Sequence, residues 1–333
     1  MWSMIQCAVQ GRGHIKTNVP CQDKTHTMFR NNVYVVALAD GAGSAIMSHY
    51  GAEYVTKTMC ECLTKDFDMY YAENDGVAIK RKVVSDLLVG LQEVAKVHGC
   101  EMKELASTML VAAIKEDKYI LMHIGDGVIG YLKNNEIKIA SKPENGEFAN
   151  TTVFVTSRDV LHSMKILKGQ LKDIHGFVLM SDGTETSFYD KKNNALAPAL
   201  NKIMKLSQLI DSECLEKEIT KSFENVIKHN TTDDCSIALI VEEDYSFCGY
   251  NLMTQSEKEI LFEYKKCQAN KKRIRRMDMI VNYLIEPHSL SSISQKTYLK
   301  KKYVKRYVEV LQEKNLIIYD KGMYQTAIIL EKK

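Results

Sequence analysis

Aspartates stand at the ends of apolar segments in several places along this chain. In "VYVVALADGAGSA" a run of small and β-branched residues leads directly into Asp40, and the chain then turns at Gly41. The aspartates that share this arrangement are Asp23, Asp40, Asp126, Asp182 and the adjacent pair Asp233 and Asp234. A carboxylate at the end of a buried strand loses hydration, which costs free energy unless a cation or hydrogen-bond donors meet it. These positions are therefore the first candidates for chemistry.

Turn chemistry explains any one of these aspartates, because Asp-Gly is a common turn dipeptide. It does not explain the repetition, since neighbouring strands that each deliver an acid gather negative charges, and like charges raise one another's pKa values. A divalent cation removes that repulsion. Oxygen ligands without Cys or His clusters favour Mg²⁺ or Mn²⁺ over zinc or copper, and Mg²⁺ keeps several waters. The pattern therefore predicts a site with activated water, which is the equipment of a hydrolase.

The elements that must position these acids can be predicted from apolar patterning. The predicted strands are 33–39, 108–114, 119–124, 176–181 and 236–241, and a hairpin is predicted to turn at Asn134 and Asn135. The predicted helices run from Ile46 to about Cys62, from about Lys82 to His98 and from about Cys214 to Lys228. The region from Lys142 to Ile166 has mixed signals and is predicted to be a surface loop or flap. Paired strands with few intervening helices favour antiparallel sheets with helices packed outside.

The charge of the chain is unevenly distributed. Residues 256–333 contain 18 Lys+Arg and 9 Asp+Glu, a net charge of +9, and residues 1–255 therefore carry −6 of the overall +3. We expect a catalytic domain over 1–243, a linker over 244–256 and a basic domain over 257–333. Two amphipathic helices and a hairpin turning at Asp320, Lys321 and Gly322 make this last part similar to a winged helix-turn-helix.

Compartment is also predicted from the sequence. No apolar run is long enough to span a bilayer, the first residues do not read as a secretory signal, and the nine cysteines show no paired spacing. We therefore expect a cytoplasmic protein with reduced thiols and no membrane association.

The motifs "PCQD", "ADGAGS", "STMLVAAI", "HIGDG", "MSDGTE" and "TTDDCSIALI" resemble, in order and spacing, those of the metal-dependent serine/threonine protein phosphatases of the PPM (type 2C) family. The resemblance covers roughly residues 5 to 242. It implies an α+β fold, a four-layer α/β/β/α sandwich of two antiparallel sheets, here followed by the small winged-helix-like domain. It also implies two bound Mn²⁺ or Mg²⁺ ions, with a third bound weakly.

The resemblance assigns roles position by position. Asp40 would bridge the two ions, and Gly41 would offer its carbonyl to the second. Asp182 and Asp233 would complete the first ion's ligands, and Asp126 would hold the third ion together with Asp182. Asp23 would support the metal-bound waters. Asp234 and Gln22 would lie behind the metal ligands and support them.

Two positions depart from the family pattern. Ala42 stands where many members have a histidine that acts as general acid, and Asn18 stands where an arginine usually grips phosphate. Substitutes for both are available in "GRGHIKTNVPCQD", where Arg12, His14 and Lys16 could contact phosphate. His14 is preferred, because an imidazole can also donate a proton, although a purely structural histidine is an equally open interpretation.

Three functional hypotheses remain at this stage. The first is a phosphatase that hydrolyses phosphoserine or phosphothreonine in proteins and opposes a kinase. The second is a phosphatase-like sensor that has lost catalysis, and the third is a transcriptional regulator. For the basic domain we expect docking of a partner protein first and nucleic acid second, while a solvated, purely solubilising helix face is the plain alternative.

Overall fold

The computed structural model describes residues 1–134, 136–143, 152–243, 250–251, 253–264, 267, 269–314 and 316–327. The chain forms two compact units. The first contains Met1–Met204 and Glu216–Glu242, and the second contains Lys205–Leu215 and Glu243–Lys333. The expected linker over 244–256 lies largely outside the described residues.

The first unit contains two five-stranded antiparallel sheets. Sheet I has the order β1 (Trp2–Val9), β12 (Cys235–Glu242), β9 (Ile174–Met180), β6 (Val128–Lys133), β7 (Glu136–Ser141). Sheet II has the order β2 (Lys24–Arg30), β3 (Val33–Ala39), β4 (Met109–Lys115), β5 (Lys118–Ile124), β8 (Lys165–Gln170). All five predicted strands are present, and the predicted hairpin is β6–β7, with Asn135 outside the described residues.

The central strands are apolar on both faces because each face meets a different layer. In β3, Val36 and Leu38 join the core between the two sheets, whereas Val35 and Ala37 join the core against the helices. Successive side chains of a strand point to opposite faces, so two buried faces produce a continuous apolar run. A polar residue is tolerated only where the strand leaves the sandwich, and Asp40 is the first such position.

Helices cover the outer faces of both sheets. On sheet II lie α2 (Ser48–Ala72) and α3 (Gly76–His98). On the sheet I side lies α7 (Ser212–Asn225), where Thr220 Oγ1 is 3.5 Å from Cys7 Sγ of β1. The shorter helices of this unit are α1 (Arg12–Thr17), α4 (Val160–Ser163), α5 (Asp182–Phe188) and α6 (Pro198–Ser207), and β10 (Tyr189–Asp190) pairs with β11 (Ala195–Leu196). The predicted α+β sandwich is confirmed.

Two predictions about this unit were wrong in extent. Helix α3 begins at Gly76 rather than near Lys82, because the Asp75 carboxylate caps it by accepting hydrogen bonds from Val77 N (2.8 Å) and Ala78 N (3.2 Å). Helix α2 continues ten residues past Cys62 to Ala72.

The region Lys142–Ile166 was also predicted incorrectly, as far as it is described. Residues 144–151 lie outside the described part, but 152–166 do not form a surface flap. Their apolar side chains enter the helix-side core, namely Val153, Val155, Val160 and Met164. Burial of these four side chains binds the segment to the sandwich.

Beyond residue 252, the described part of the second unit contains four helices and a hairpin. The helices are α8 (Gln255–Leu261), α9 (Ala269–Tyr283), α10 (Leu290–Thr297) and α11 (Lys301–Glu313), and the hairpin is β13 (Ile317–Asp320) with β14 (Met323–Thr326). The predicted apolar faces are buried, with Met277, Ile280 and Val281 on α9 and Val304, Val308 and Leu311 on α11. His288 bridges to Tyr324 beside the hairpin.

None of the described helices combines the length and apolar character required to cross a membrane. Among the described residues, Cys7, Cys21, Cys60, Cys62, Cys100, Cys235 and Cys267 have free thiols.

Candidate active site

The turn after β3 holds Asp40 by its backbone. Asp40 N donates to Thr108 Oγ1 (2.8 Å), and Asp40 O accepts from Thr108 N (2.8 Å). Gly41 continues the turn, pairing with Ser107. A Cβ at Gly41 would lie 2.7 Å from Ser48 Oγ, so this close approach requires glycine. The Asp40 carboxyl group is thereby fixed at the end of the strand.

The turn after β9 lies directly against the turn that precedes β12. Ser181 N donates to Ser236 O (3.3 Å), and Ser236 N donates to Ser181 Oγ (3.1 Å). A Cβ on Gly183 would lie only 2.0 Å from Asp234 O, so a residue with a side chain does not fit at this position. Antiparallel neighbours β9 and β12 thus bring Asp182 next to the Asp233–Asp234 pair, as the sequence predicted.

The carboxyl groups of these turns influence one another strongly. Burial raises the pKa of Asp40 well above its usual range, and the charges of Asp23 and Asp182 raise it further. Burial and the charges of Asp126 and Asp233 raise the pKa of Asp182 to about 6. Asp40 and Asp182 also share a hydrogen bond that raises the pKa of Asp40 and lowers that of Asp182.

Asp23 is as deeply buried as Asp234, with 1% of its surface exposed. Burial raises its pKa to about 7, and nearby Asp234 and Asp182 raise it as well, whereas the hydroxyl groups of Ser236 and Ser181 lower it. Neither carboxyl oxygen has a hydrogen-bond partner of ordinary geometry. A buried carboxyl group in this condition needs either a proton or a cation.

The donor set fits a hard divalent cation. Buried oxygens without hydrogen-bond partners occur on neighbouring residues of the cluster, namely Gln22 Oε1, both oxygens of Asp23 and Asp182 Oδ1. These are the oxygen ligands and water acceptors that Mg²⁺ and Mn²⁺ prefer. Among the described residues, however, no three His, Cys, Asp or Glu side chains stand ready-made around a common point. The shared hydrogen bond between Asp40 and Asp182 would have to open for both to become ligands.

Asp234 joins three distant segments. Its Oδ1 accepts from Gly11 N (2.6 Å), its Oδ2 accepts from Gln22 N (2.5 Å), and His14 Nδ1 lies 2.9 Å from Oδ1. Asp234 N in turn donates to Asp233 Oδ1 (2.9 Å). This carboxylate, fully used by protein donors, supports the ligand turns from behind, and it holds His14 by one ring nitrogen.

The other candidates from the early segment have different surroundings. The Arg12 guanidinium donates through Nε and Nη2 to the carbonyls of Lys228, His229 and Thr231 at 2.9–3.2 Å, so most of its donors are held by backbone and its contact with phosphate stays a prediction. Lys16 is exposed on α1, and no contact of its side chain is seen with the acidic turns. Asn18 ends α1 in the left-handed conformation with φ 56°.

Asp126 lies close to Asp182, and the structure adds a glutamate that the sequence did not indicate. Asp126 Oδ2 accepts from Thr152 Oγ1 (2.5 Å), and its charge raises the pKa of both Asp182 and Glu185. Glu185 is buried, 2% exposed, with Oε1 2.7 Å from Lys191 Nζ. Because Asp182 and Asp126 also act on Lys191, this ammonium group lies within electrostatic range of the acidic cluster.

His123 has only a structural role in this arrangement. Its Nε2 is 3.0 Å from Gly125 O, which can only accept, so Nε2 carries the proton and Nδ1 accepts from Ser141 Oγ (2.7 Å). The ring is buried and neutral, and it fixes the turn that carries Asp126. Ala42 packs with Ala45 and Ala106 in a small apolar cluster, so no proton donor stands there.

The sequence was compared with known proteins. Residues 10–223 match the family model described as protein phosphatase 2C. Serine/threonine-protein phosphatase 3 of Escherichia coli (strain K12) is 24% identical over 251 residues, which are 72% of this chain and 97% of that protein.

Solved structures were compared as well. A structure described as a bacterial serine phosphatase has a TM-score of 0.50 at 17% identity, over 73% of this chain and 98% of that one. The catalytic domain of the serine threonine protein phosphatase PstP, solved with two manganese ions, has a TM-score of 0.49 at 15% identity, over 72% of this chain and 99% of that one. The first likeness supports the sandwich fold described above.

Proposed function

The chain belongs to the protein phosphatase 2C family, and from this membership and the acidic cluster we propose that it hydrolyses phosphoserine or phosphothreonine in proteins with two bound Mn²⁺ or Mg²⁺ ions. The observation that carries the proposal is the convergence of Asp23, Asp40, Asp126, Asp182 and Asp233, in which burial and neighbouring charges raise the pKa values of Asp23, Asp40 and Asp182. When bound, the ions supply an activated water and neutralise phosphoryl oxygens. Their ligands would be Asp40, the Gly41 carbonyl, Asp182 and Asp233. A weaker third ion would be held by Asp126 and Asp182.

Asp23 and Gln22 would orient water at the rim of this site. Both are buried, 1% exposed, and both have oxygens without protein partners. A water that donates to such an oxygen is held in a fixed direction, which lowers the entropic part of the barrier to attack on phosphorus. The attacking water and the leaving oxygen must lie roughly in line with phosphorus.

His14 would donate the proton that the leaving serine or threonine oxygen requires. Asp234 Oδ1 lies 2.9 Å from His14 Nδ1, a contact that would restrain the ring and leave Nε2 as the proton donor. A carboxylate that fixes one ring nitrogen defines the tautomer and orientation of the other, as in catalytic dyads and metal-bound histidines. This assignment fills the role that Ala42 cannot perform.

Lys191 would contact the phosphoryl group. Its ammonium is 75% exposed and tethered by the buried Glu185, so it is available to a ligand but restricted in position. Arg12 and Lys16 are retained as weaker candidates on α1. Phosphate is well matched by a compact ammonium charge beside divalent cations.

Phosphopeptide hydrolysis with Mn²⁺ and with a chelator tests the proposal. We expect turnover only with metal, and its loss in Asp40→Asn and in Asp182→Asn. Asp159→Asn is the matched control, because Asp159 is an exposed aspartate whose side chain makes no cap hydrogen bond at α4. Turnover that survives chelation, or persists in Asp40→Asn, would falsify the assignment.

The second unit would dock a partner or substrate protein, with a cognate kinase or its targets as the expected phosphoproteins. Three helices followed by a hairpin match the element order of a winged helix-turn-helix, so nucleic acid is the alternative ligand. A catalytically weak sensor is the rival for the first unit. Calorimetric titration with Mn²⁺ separates the rival from the enzyme, since a sensor without metal chemistry should bind the ion weakly or not at all.

A further inference from the structure

A cleft of about 450 Å³ lies between helices α9 and α11 within the second unit. Its walls are two facing helix stripes, and the lining residues are Tyr264, Ala269, Lys272, Arg273, Arg276, Tyr303, Arg306, Tyr307 and Val310. On each helix the lining positions follow the spacing i, i+3, i+4, i+7, which places them on one face. Seven residues of helix span about 10 Å, so the cleft is a short groove rather than a point-like hollow.

The basic side chains in this groove have no carboxylate partner among the residues that the structure describes. They are Lys272, Arg273, Arg276 and Arg306. Three other lysines of the unit are paired, namely Lys258 with Asp278 at 2.7 Å, Lys305 with Glu309 at 3.9 Å, and Lys314 with Glu263. The groove differs from its exposed surroundings because it gathers four basic side chains in one concavity without a carboxylate among the described residues.

Tyrosines fix the cations and add hydrogen-bonding groups. Arg276 Nη1 donates to Tyr307 Oη (3.3 Å), and the Arg273 guanidinium lies 5.6 Å from the centre of the Tyr264 ring. Each guanidinium keeps several N–H groups for a ligand, because one carries five donors. Arg273 and Arg306 are exposed and can be reached from solvent. An anion with several acceptor oxygens is the natural complement of such a lining.

We propose that this groove binds a phosphate group on a protein segment. Planar guanidinium groups match phosphoryl oxygens bidentately, and Arg clusters are a recurring means of phosphopeptide recognition. Three extended residues cover about 10 Å, which equals the length of the groove. A duplex is disfavoured, because reading DNA requires a helix that projects into a groove about 12 Å wide, whereas these side chains face each other across a concavity.

The proposal deepens the proposed function. It rests on that function only where it identifies the bound phosphoprotein as the substrate of the phosphatase. A protein phosphorylated at more than one position could be held here by one phosphate while another is hydrolysed. Retention of this kind would raise the local concentration of the second phosphate at the catalytic site. The groove itself needs no metal and no catalytic residue.

Fluorescence anisotropy tests the groove directly. The probe is a short fluorescein-labelled peptide with one phosphothreonine in an otherwise uncharged sequence, added to the full chain carrying Asp40→Asn, with chelator present to prevent turnover. We expect Lys272→Gln together with Arg306→Gln to weaken binding by about tenfold or more, which is about 1.4 kcal/mol. Within the described part of the chain, neither side chain has a hydrogen-bond or ion-pair partner whose loss would disturb the fold.

A matched control removes the same charge from the same helices. Lys271→Gln with Lys301→Gln changes one exposed residue on α9 and one on α11, outside the groove, and it should leave binding within about twofold. In a chain that keeps Asp40, Lys272→Gln together with Arg306→Gln should hydrolyse p-nitrophenyl phosphate with metal as fast as the parent does. Hydrolysis that is absent in every variant would reject the phosphatase function while leaving the binding result intact.

Three results would overturn the proposal. The first is equal weakening in the groove and control variants, which would indicate general charge attraction. The second is equal affinity for the phosphorylated and unphosphorylated peptides. The third is a DNA oligonucleotide that binds more tightly than the phosphopeptide and loses that affinity in the groove variant, which would assign the groove to nucleic acid.

Discussion

Replacing Asp182 by asparagine should have opposite effects on stability with and without metal. Burial and neighbouring acids raise the pKa of Asp182 from 3.8 to about 6 in the folded chain. At pH 7 the ionised carboxylate therefore destabilises the fold by up to about 3 kcal/mol, since each pKa unit corresponds to about 1.4 kcal/mol. Asparagine removes this charge, keeps the shape and can still hydrogen-bond to Asp40. In chelator, Asp182→Asn should therefore be more stable than the parent.

The pH dependence has a definite sign. As the pH falls through about 6, the folded parent binds a proton at Asp182 while the unfolded chain binds one only near 3.8. The parent therefore gains stability relative to Asp182→Asn across this window. The difference between the two proteins should shrink from about 3 kcal/mol at pH 7 towards zero below the unfolded pKa.

Metal should reverse the order. An ion at about one hundred times its Kd adds about 2.7 kcal/mol per site to the stability of the parent. Asp182→Asn has lost a ligand, so it should gain little from Mn²⁺. In Mn²⁺ the free energy of unfolding of the parent should equal or exceed that of the variant, although in chelator the parent is the less stable of the two.

Urea unfolding followed by tryptophan fluorescence measures this effect in the relevant unit. Trp2 is the single tryptophan of the chain and packs against the core between the sheets, so its signal reports the first unit alone. Asp159→Asn should differ from the parent by no more than about 0.5 kcal/mol in both conditions. If Asp182→Asn is less stable than the parent in chelator at pH 7, the account of charge repulsion fails.

Further predictions concern the proton donor, the phosphate contact and the buried histidine. His14→Asn should lower kcat on a phosphoserine peptide by about 10²–10⁴-fold. The fall in kcat should be much smaller on p-nitrophenyl phosphate, because its leaving group needs no proton. Equal falls on the two substrates would contradict the role of His14 as proton donor. Lys191→Met, combined with Glu185→Gln to avoid an unpaired buried charge, should raise KM for phosphopeptide several-fold at nearly constant kcat, and an unchanged KM would count against the contact. Burial lowers the pKa of His123 from 6.5 to about 3, so the parent should lose about 1.4 kcal/mol of stability per pH unit below 6.5. His123→Asn should lack that slope when unfolding is measured from pH 7 to 4, and identical slopes would refute the assignment.

The central strands and their terminal acids were predictable because two buried faces produce an unbroken apolar run. The edge strands were harder to predict. β1 alternates buried with partly exposed residues, and β2 has no fully buried residue, so neither contains an apolar run. The family motifs supplied the order of the acids, whereas their mutual distances depend on the register between β9 and β12.

Residue roles that depend on long-range contacts could not be obtained from the sequence. Arg12 resembles a phosphate ligand in the sequence, and only the structure shows that its guanidinium donates to carbonyls more than 200 positions away. Glu185 follows Asp182 by three positions, and only its burial and its ion pair with Lys191 indicate a separate role. Gly11 and Gly183 appear interchangeable with other small residues, although a Cβ on either would collide with the backbone at Asp233 or Asp234. Sequence spacing determines neighbours within an element, and the fold determines the rest.

The uneven charge of the chain is best explained by ligands of opposite sign. Solubility alone requires charges that are exposed and interspersed, and two acids of the cluster in the first unit are neither, since Asp23 and Asp234 are buried side by side. The groove between α9 and α11 gathers positive charge in a similar way, because its cations line one concavity without a carboxylate partner among the described residues. Like charges that accumulate at a concave surface lower the stability of the free protein, and a ligand of the opposite charge recovers that loss. A cation bound in the first unit and a phosphate bound in the second would each recover the stability that like charges remove.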